Sequence, residues 1–339
     1  MKNKINVLIT GAGSTMGYSV LKALMMSKYK EMVNLFLTNS EPEGPAFFME
    51  PLAHKCYIVP IAKDPNYIPT MMDICKKEKI DILFSGTEHE IFELSKNKDA
   101  FLESSNTIVM LSDLRVINIG TDKYETYKFF SQNSLPFPET VLFDDYESLI
   151  EKVGFPIIMK PRIASASRNI FVVNSVEELM SKKFAPSEQI ILQRYLDSDV
   201  EYTVESFMDK EGNIVGTIPM KRKLEFGLSV AGEIDRNPDV IKVSEDVTRF
   251  LRPQGPVNVQ LRVENGVPIP FEINTRFSST ECVRARYGFN SVEASISNFL
   301  YNQSVKLEYT EGMFMRYWHE CYFQKEELDN LEKFGVIER

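Results

Sequence analysis

A strand-forming run, Ile5 to Thr10, leads without a break into Gly11-Ala-Gly13-Ser14-Thr-Met-Gly17, and a helical pattern follows from Tyr18 to Met26. A strand that turns so tightly into a helix commits the chain to parallel architecture, because the next strand must return across that helix. The pattern recurs. Apolar runs at Val33 to Thr38, Lys55 to Pro60, Ile80 to Ser85 and Ile108 to Leu111 alternate with helical stretches, which predicts a helix-covered parallel sheet over residues 1–112.

The glycine turn, GxGxxxG, allows two readings at this point. One is a dinucleotide fingerprint, with phosphate at the helix N-terminus and a nicotinamide-dependent oxidoreductase as the function. That fingerprint calls for an acid at the end of the second strand, where the chain has Asn39, with Glu41 and Glu43 just beyond. The other reading is turn geometry alone.

Charge and composition remove several function classes. A net charge of −9 and a pI near 5.2 argue against a nucleic-acid or anionic-membrane surface. Cys56, Cys75, Cys282 and Cys321 are scattered, and with only 3 histidines they suggest neither a zinc cluster nor a disulfide framework. No run of apolar residues is long enough to cross a membrane, so the expectation is a soluble, cytoplasmic protein with reduced thiols.

Beyond residue 112 the rhythm changes. A helical pattern runs from Asp113 through Lys123 to Phe130. Short strands follow at Pro138 to Leu142, Pro156 to Lys160, Ile170 to Val173 and Ile190 to Tyr195, with a helix at Ser175 to Ser181. Alternating segments at Glu201 to Phe207, Ile214 to Lys221, Gly255 to Val263 and Pro268 to Asn274 predict an antiparallel sheet, and a helix is expected at Ser291 to Tyr301. The tail holds a strand-like piece, Met313 to His319, and a charged helix or coil from Gln324. These divisions give segments 1–112, 113–188, 189–305 and a C-terminal extension, 306–339.

The segment Val257-Asn-Val-Gln260, a turn at Gly266, then Glu272-Ile-Asn274-Thr-Arg276 reads as a hairpin with functional groups at one end. Period-2 alternation puts Glu272, Asn274 and Arg276 on one face and turns Phe271 and Ile273 into a core. A carboxylate and amide oxygens are hard ligands that suit Mg²⁺ shared with substrate phosphates, and an adjacent Arg suits a transferred phosphoryl group. A solvated strand face is the competing reading.

Gln260, Glu272-x-Asn274-x-Arg276 and the following Phe277-Ser278-Ser279-Thr280 resemble the metal and phosphate signature of ATP-grasp enzymes. They are similar to the halves of the carbamoyl-phosphate synthetase large chain, and the stretch FSSTECVRARYGFN is similar to the pyrrolysine-pathway ligase group. The resemblance implies a mixed α/β and α+β fold, with an N-terminal parallel α/β (pre-ATP-grasp) domain before a two-subdomain ATP-grasp fold. It implies Glu272, Asn274 and Gln260 as metal ligands, Arg276 and Asn274 at the acyl-phosphate centre, and Arg222 facing the triphosphate or the acceptor. Lys123 and Lys160 resemble the two phosphate lysines, and Gln193, Arg194, Tyr195 and Leu196 the strand and hinge at the adenine.

Glu201 stands where the family has a ribose carboxylate. The loop at Ser165 and Ser167 stands where it has a glycine-rich phosphate flap, here without glycine. Gly11, Gly13 and Ser14, together with Thr87 and Glu88, are implied to face the non-nucleotide substrate.

The implied activity is ATP-dependent carboxylate–amine ligation through an acyl phosphate, with ATP and Mg²⁺ (two ions, Mn²⁺ as a substitute), small-molecule acid and amine substrates, and a homodimer. A non-catalytic ATP-binding sensor is the alternative that the glycine-free loop suggests.

Overall fold

The computed structural model describes residues 4–50, 53–163, 169–182, 184, 189–225, 227–317 and 319–339. Strands β1 (Ile5–Ile9), β2 (Val33–Asn39), β3 (Lys55–Ile58), β4 (Ile82–Phe84) and β5 (Ile108–Val109) form a parallel sheet in the order β3-β2-β1-β4-β5. Both faces are covered. Val7 and Ile9 pack with Val20 and Leu24 of the helix Thr15–Met25, while Leu8 turns to Tyr67, Met71 and Leu94 on the other side. This is the near-continuous burial expected of a parallel sheet between helices.

A small sheet follows, built from β6 (Thr140–Leu142), β7 (Ile157–Pro161), β8 (Phe171–Val173) and β9 (Ile190–Arg194) in the order β6-β9-β7-β8. The large antiparallel sheet holds β10 (Glu201–Met208), β11 (Ile214–Glu225), β12 (Leu228–Ile234), β13 (Gly255–Glu264), β14 (Val267–Asn274) and β15 (Gly312–Met315), ordered β14-β13-β10-β11-β12-β15. One α/β unit and two antiparallel sheets make up the mixed fold.

Three features depart from the sequence reading. The segment between Lys221 and Gly255, for which no element was expected, holds β12 and the helix Pro238–Leu251. That helix buries Val240, Ser244, Val247 and Leu251 along one stripe and is capped by Asn237, whose side chain accepts from the Asp239 and Val240 amides. The helical stretch from Asp113 is two helices, Leu114–Thr121 and Lys123–Gln132, parted at Asp122, whose carboxylate caps the second. The tail from Gln324 forms a helix, Lys325–Phe334, and then β16 (Val336–Glu338), which pairs antiparallel with β3 and adds a non-parallel edge to the first sheet.

The first sheet and the second half of the chain share one core. Phe277, Val292 and Ile296 pack among β1, β2 and the helix Thr15–Met25, and the Ser19 hydroxyl accepts from the Cys282 amide at 2.9 Å. Among the described residues no helix is long and apolar enough to cross a membrane.

A buried polar cluster ties this junction to the large sheet. Arg284, with no exposed side-chain surface, donates to Glu205 Oε2 at 2.8 Å, to Asn258 Oδ1 at 2.6 Å and to Ser278 Oγ at 2.5 Å. Glu281 stands 3.7 Å away. Burial, then the neighbouring Glu205 carboxylate, push the Glu281 carboxyl well above its usual range.

Removing one member of a buried, hydrogen-bonded ion pair strands its partner. Arg284→Leu should therefore lower stability by roughly 3–5 kcal/mol in urea unfolding. A loss under about 1 kcal/mol would show that this cluster is not the brace.

Candidate functional site

The cleft of interest, about 680 Å³, lies between the C-terminal ends of the first sheet and the hairpin β13–β14. Its shape follows from register. Gln260 pairs with Glu272 and Asn258 with Asn274, so period 2 sets four polar side chains in a two-by-two array on the face opposite Val257, Val259 and Ile273. Asn274 Nδ2 donates to Glu272 Oε1 at 3.2 Å, and its Oδ1 accepts from Arg276 Nη2 at 3.0 Å.

Lys160 enters this cleft from β7 of the small sheet, Lys123 from the start of the helix Lys123–Gln132, which packs on β13 and β14, and Arg222 from β11. Lys160 is 4% exposed, donates to Gln193 Oε1 at 2.9 Å and sits 5.9 Å from the centre of the Phe271 ring. Burial pushes its ammonium down to about 8, with Glu272 opposing the shift and Lys123 adding to it. Arg222 donates to Glu201 Oε1 at 2.6 Å and to Gln260 Oε1 at 2.8 Å.

The opposite wall comes from the first sheet. Ser14, Thr87 and Glu88 line it, and Glu88 accepts from Arg276 Nε at 3.1 Å, which joins the turn after β4 to the hairpin 188 residues away. His89 lines the cleft as well, whereas His319 is exposed. Gly11 is held at φ +60, where a Cβ would meet Thr87 Cγ2 at 2.3 Å, so the glycine lets the two turns touch. The Gly13 amide donates to Asn39 Oδ1 at 3.1 Å, and the Ala46 amide to the Ala12 carbonyl at 3.2 Å, so chain covers this turn where a dinucleotide phosphate would need to lie. Ser14 spends its hydroxyl as the helix cap, accepting from Gly17 N at 2.8 Å and donating to the Gly86 carbonyl.

The structure therefore gathers Ser14, Thr87, Glu88, Lys123, Lys160, Arg222, Gln260, Glu272, Asn274 and Arg276 around one cleft. It places the others elsewhere. Gln193 is a buried clamp between Lys160 and Thr140, Arg194 pairs with Glu139 and Glu264, and the Leu196 carbonyl accepts from Arg262; with Tyr195, these residues stand outside the described cleft wall. Glu201 faces Arg222 and Arg262 behind the wall. Ser165 and Ser167 lie outside the described residues.

Asn258 was not among the sequence candidates, although it stands two residues before Gln260 and so shares its face. Arg284, which holds Asn258, left no such signal, because an Arg in a short helix reads as a surface residue.

Five basic side chains, Lys63, Lys123, Lys160, Arg222 and Arg276, line the cleft against two carboxylates, Glu88 and Glu272, in a chain of net charge −9. Such a concentration of positive charge favours anionic ligands. The donor set fits Mg²⁺ only in part. Among the described residues no group of three His, Cys, Asp or Glu side chains is arranged to hold a metal ion. One carboxylate and the Asn274 and Gln260 amides suit an ion that arrives already coordinated by phosphate oxygens.

Comparison with known proteins agrees with this geometry. Residues 7–109 match the family described as "PylC-like, N-terminal domain", residues 120–227 the "RimK-like ATP-grasp domain", and residues 186–321 the family "ATP-grasp in the biosynthetic pathway with Ter operon". The carbamoyl phosphate synthase large chain of Sulfurisphaera tokodaii is 24% identical over 297 residues, 80% of this chain and 27% of that one. That of Saccharolobus islandicus is 23% identical over 340 residues, 92% of this chain and 31% of its own, so the chain spans less than a third of these relatives.

Among solved structures, N5-carboxyaminoimidazole synthetase from Staphylococcus aureus, complexed with ADP, superposes with a TM-score of 0.74 at 14% identity, covering 98% of this chain and 86% of that one. An L-amino acid ligase from Bacillus licheniformis gives 0.64 at 16%, covering 88% and 75%. Two overlapping ATP-grasp family models together match residues 120–321, and the chain belongs to the ATP-grasp superfamily.

With its ammonium lowered to about 8, Lys160 would make the binding of any phosphate it holds proton-linked. A bound triphosphate stabilises the charged form, so binding above pH 8 takes up a proton, and affinity falls as pH rises through 8. Calorimetry of a Mg²⁺-bound, non-hydrolysable ATP analogue at pH 8.5, in two buffers of different ionisation enthalpy, should report uptake of roughly 0.7 proton. Lys160→Met should abolish it, and equal uptake in the variant would assign the proton elsewhere.

Proposed function

We propose that this chain is an ATP-dependent, ADP-forming ligase that joins a carboxylic acid to an amine. The observation that carries the reading is the cleft itself. It sets phosphate-type cations and the Glu272, Asn274 and Gln260 array on one wall, and the turns of the first sheet on the other, with Arg276 in contact with both.

The division of labour follows from chemistry. Lys123, Lys160 and Arg222 hold phosphate oxygens as point charges or forks. Mg²⁺ brought by the nucleotide would be held by Glu272, Asn274 and Gln260, and supplies charge neutralisation. A substrate carboxylate oxygen attacks the γ-phosphorus, a C(=O)O–P bond forms, and the bond to the β-phosphate oxygen breaks to release ADP. Arg276 lies where it can face the charge on that phosphoryl group. The amine nitrogen then attacks the carbonyl carbon, phosphate leaves and the nitrogen loses a proton. In this scheme positioning and charge account for the rate, with no nucleophilic side chain.

The superfamily supports the ATP step, and the structural likeness to an L-amino acid ligase is consistent with an amide product. Adenine and ribose would lie toward Gln193–Leu196 and Glu201, with Glu201 exchanging one of its two arginine partners for hydroxyls. The oxidoreductase reading loses support because Asn39 caps the glycine turn.

ADP release from MgATP, measured across pools of carboxylic acids with and without amines, tests the reading. One acid should stimulate release, and hydroxylamine should trap it as a hydroxamate. Glu272→Gln should then cut turnover at least about 100-fold in a folded protein. Tight nucleotide binding with no acid-stimulated release would favour the sensor, and NADH binding the oxidoreductase.

A further inference from the structure

The two lysines that the ligase reading sets on phosphate stand on different bodies of the chain. Lys160 belongs to β7 in the small sheet. Lys123 opens the helix Lys123–Gln132, whose Phe129 and Phe130 pack with Val257, Val259 and Ile273 of the large sheet. Each ammonium ends a flexible stem, so its place at a ligand depends on how the two backbones are fixed to one another.

Arg162 touches both bodies. Its amide donates to the Gln189 carbonyl at 2.7 Å, which carries the pairing of β7 with β9 one step past Pro161 and Ile190. Its carbonyl accepts from the Lys123 amide at 3.0 Å. The guanidinium then crosses to the helix, where Nε donates to Asp122 Oδ1 at 2.7 Å and to Oδ2 at 2.8 Å, and Nη2 to Glu125 Oε1 at 3.2 Å. Nη1 returns to Gln189 Oε1 at 2.9 Å, and the group lies 5.5 Å from the centre of the Tyr124 ring.

Asp122 passes this constraint on. Its Oδ1 also caps the helix, accepting from the Tyr124 amide at 2.9 Å and the Glu125 amide at 3.3 Å. Lys123 therefore leaves a backbone held by the cap on either side and by Arg162 at its own amide. Charge-assisted bonds of defined geometry fix an orientation as well as adding energy. Arg162 itself stays off the cleft wall, although Pro161 and Ile163 on either side of it line the cleft.

We propose that Arg162 is a positioning residue that sets Lys123 and Lys160 at the spacing a nucleotide's phosphates require, acting through Asp122 and the Lys123 amide and touching no ligand itself. The assignment rests on the ligase reading for the role of the two lysines, and adds the residue that registers one against the other.

The test compares wild type, Arg162→Gln, Arg162→Lys and Asp122→Asn. Each is titrated with the Mg²⁺ complex of a non-hydrolysable ATP analogue by calorimetry and with adenosine by saturation-transfer NMR, and neither readout needs turnover. Asn caps a helix as well as Asp does, so Asp122→Asn removes the charge partner of Arg162 and keeps the cap.

In Arg162→Gln and Asp122→Asn alike, affinity for the analogue should fall about 10-fold while adenosine affinity stays within about 2-fold. Arg162→Lys should recover part of the loss. In a Lys123→Met background, Arg162→Gln should add less than about 3-fold, because its effect travels through that lysine.

Unchanged analogue affinity in both Arg162→Gln and Asp122→Asn, or a loss in the Lys123→Met background as large as in the wild type, would overturn the assignment and leave the ligase reading standing. An equal fall in adenosine affinity, with melting temperature lowered in all three variants, would also overturn it and mark Arg162 as a brace for the small sheet as a whole. A wild type that binds adenosine as tightly as the analogue would remove the phosphate role of both lysines, and the ligase reading would fall together with this assignment.

Discussion

The guanidinium of Arg284 sits fully buried where the halves of the molecule meet, with hydrogen-bond partners from three directions. Glu205 comes from β10, Asn258 from β13, and Ser278 from the loop that leaves the hairpin. Each partner belongs to an element that must hold still for the cleft to exist. Asn258 belongs to the same array as Gln260, Glu272 and Asn274, and Ser278 is two residues from Arg276. The helix that carries Arg284 also packs on the helix after the glycine turn, through Cys282 and Ser19. Arg284 Nε and Glu281 Oε2 lack a hydrogen-bond partner among the described residues, yet the bonds that are made tie three elements into one arrangement, and that arrangement is the geometry of the cleft.

From that anchor the electrostatics of the site follow. The cleft concentrates basic side chains in an acidic protein, and burial leaves Lys160 poised so that its charge depends on what it faces. The contact between Glu88 and Arg276 joins the first sheet to the hairpin. Arg276 in turn donates to Asn274, and Asn274 to Glu272, so the turns of the first sheet and the array are joined by one chain of hydrogen bonds.

How much of this the sequence discloses depends on the range of the interaction. The hairpin was legible because alternation is a local rule, and it places Glu272, Asn274 and Arg276 on one face with no tertiary information. The parallel sheet was legible from its repeated apolar runs. β12 escaped notice because Gly232 and small residues blur its alternation; the glycine is needed where the Lys221 carbonyl and the Phe314 ring close in. The strand β16 and the partners of Glu201 and Arg194 depend on contacts between distant segments, which periodicity cannot register. Arg284 was silent for the same reason, since a surface arginine and a buried one are spelled alike.

The central claim is that this cleft moves the γ-phosphoryl group of ATP onto a carboxylate, and isotope transfer tests it most directly. The protein is incubated with MgATP, an amine and a carboxylic acid labelled with ¹⁸O in both carboxyl oxygens, and the released phosphate is analysed by mass spectrometry. The account predicts one ¹⁸O in each phosphate released, because the oxygen that attacks phosphorus leaves with it when nitrogen takes its place. Unlabelled phosphate accompanying a formed amide would contradict the acyl phosphate route.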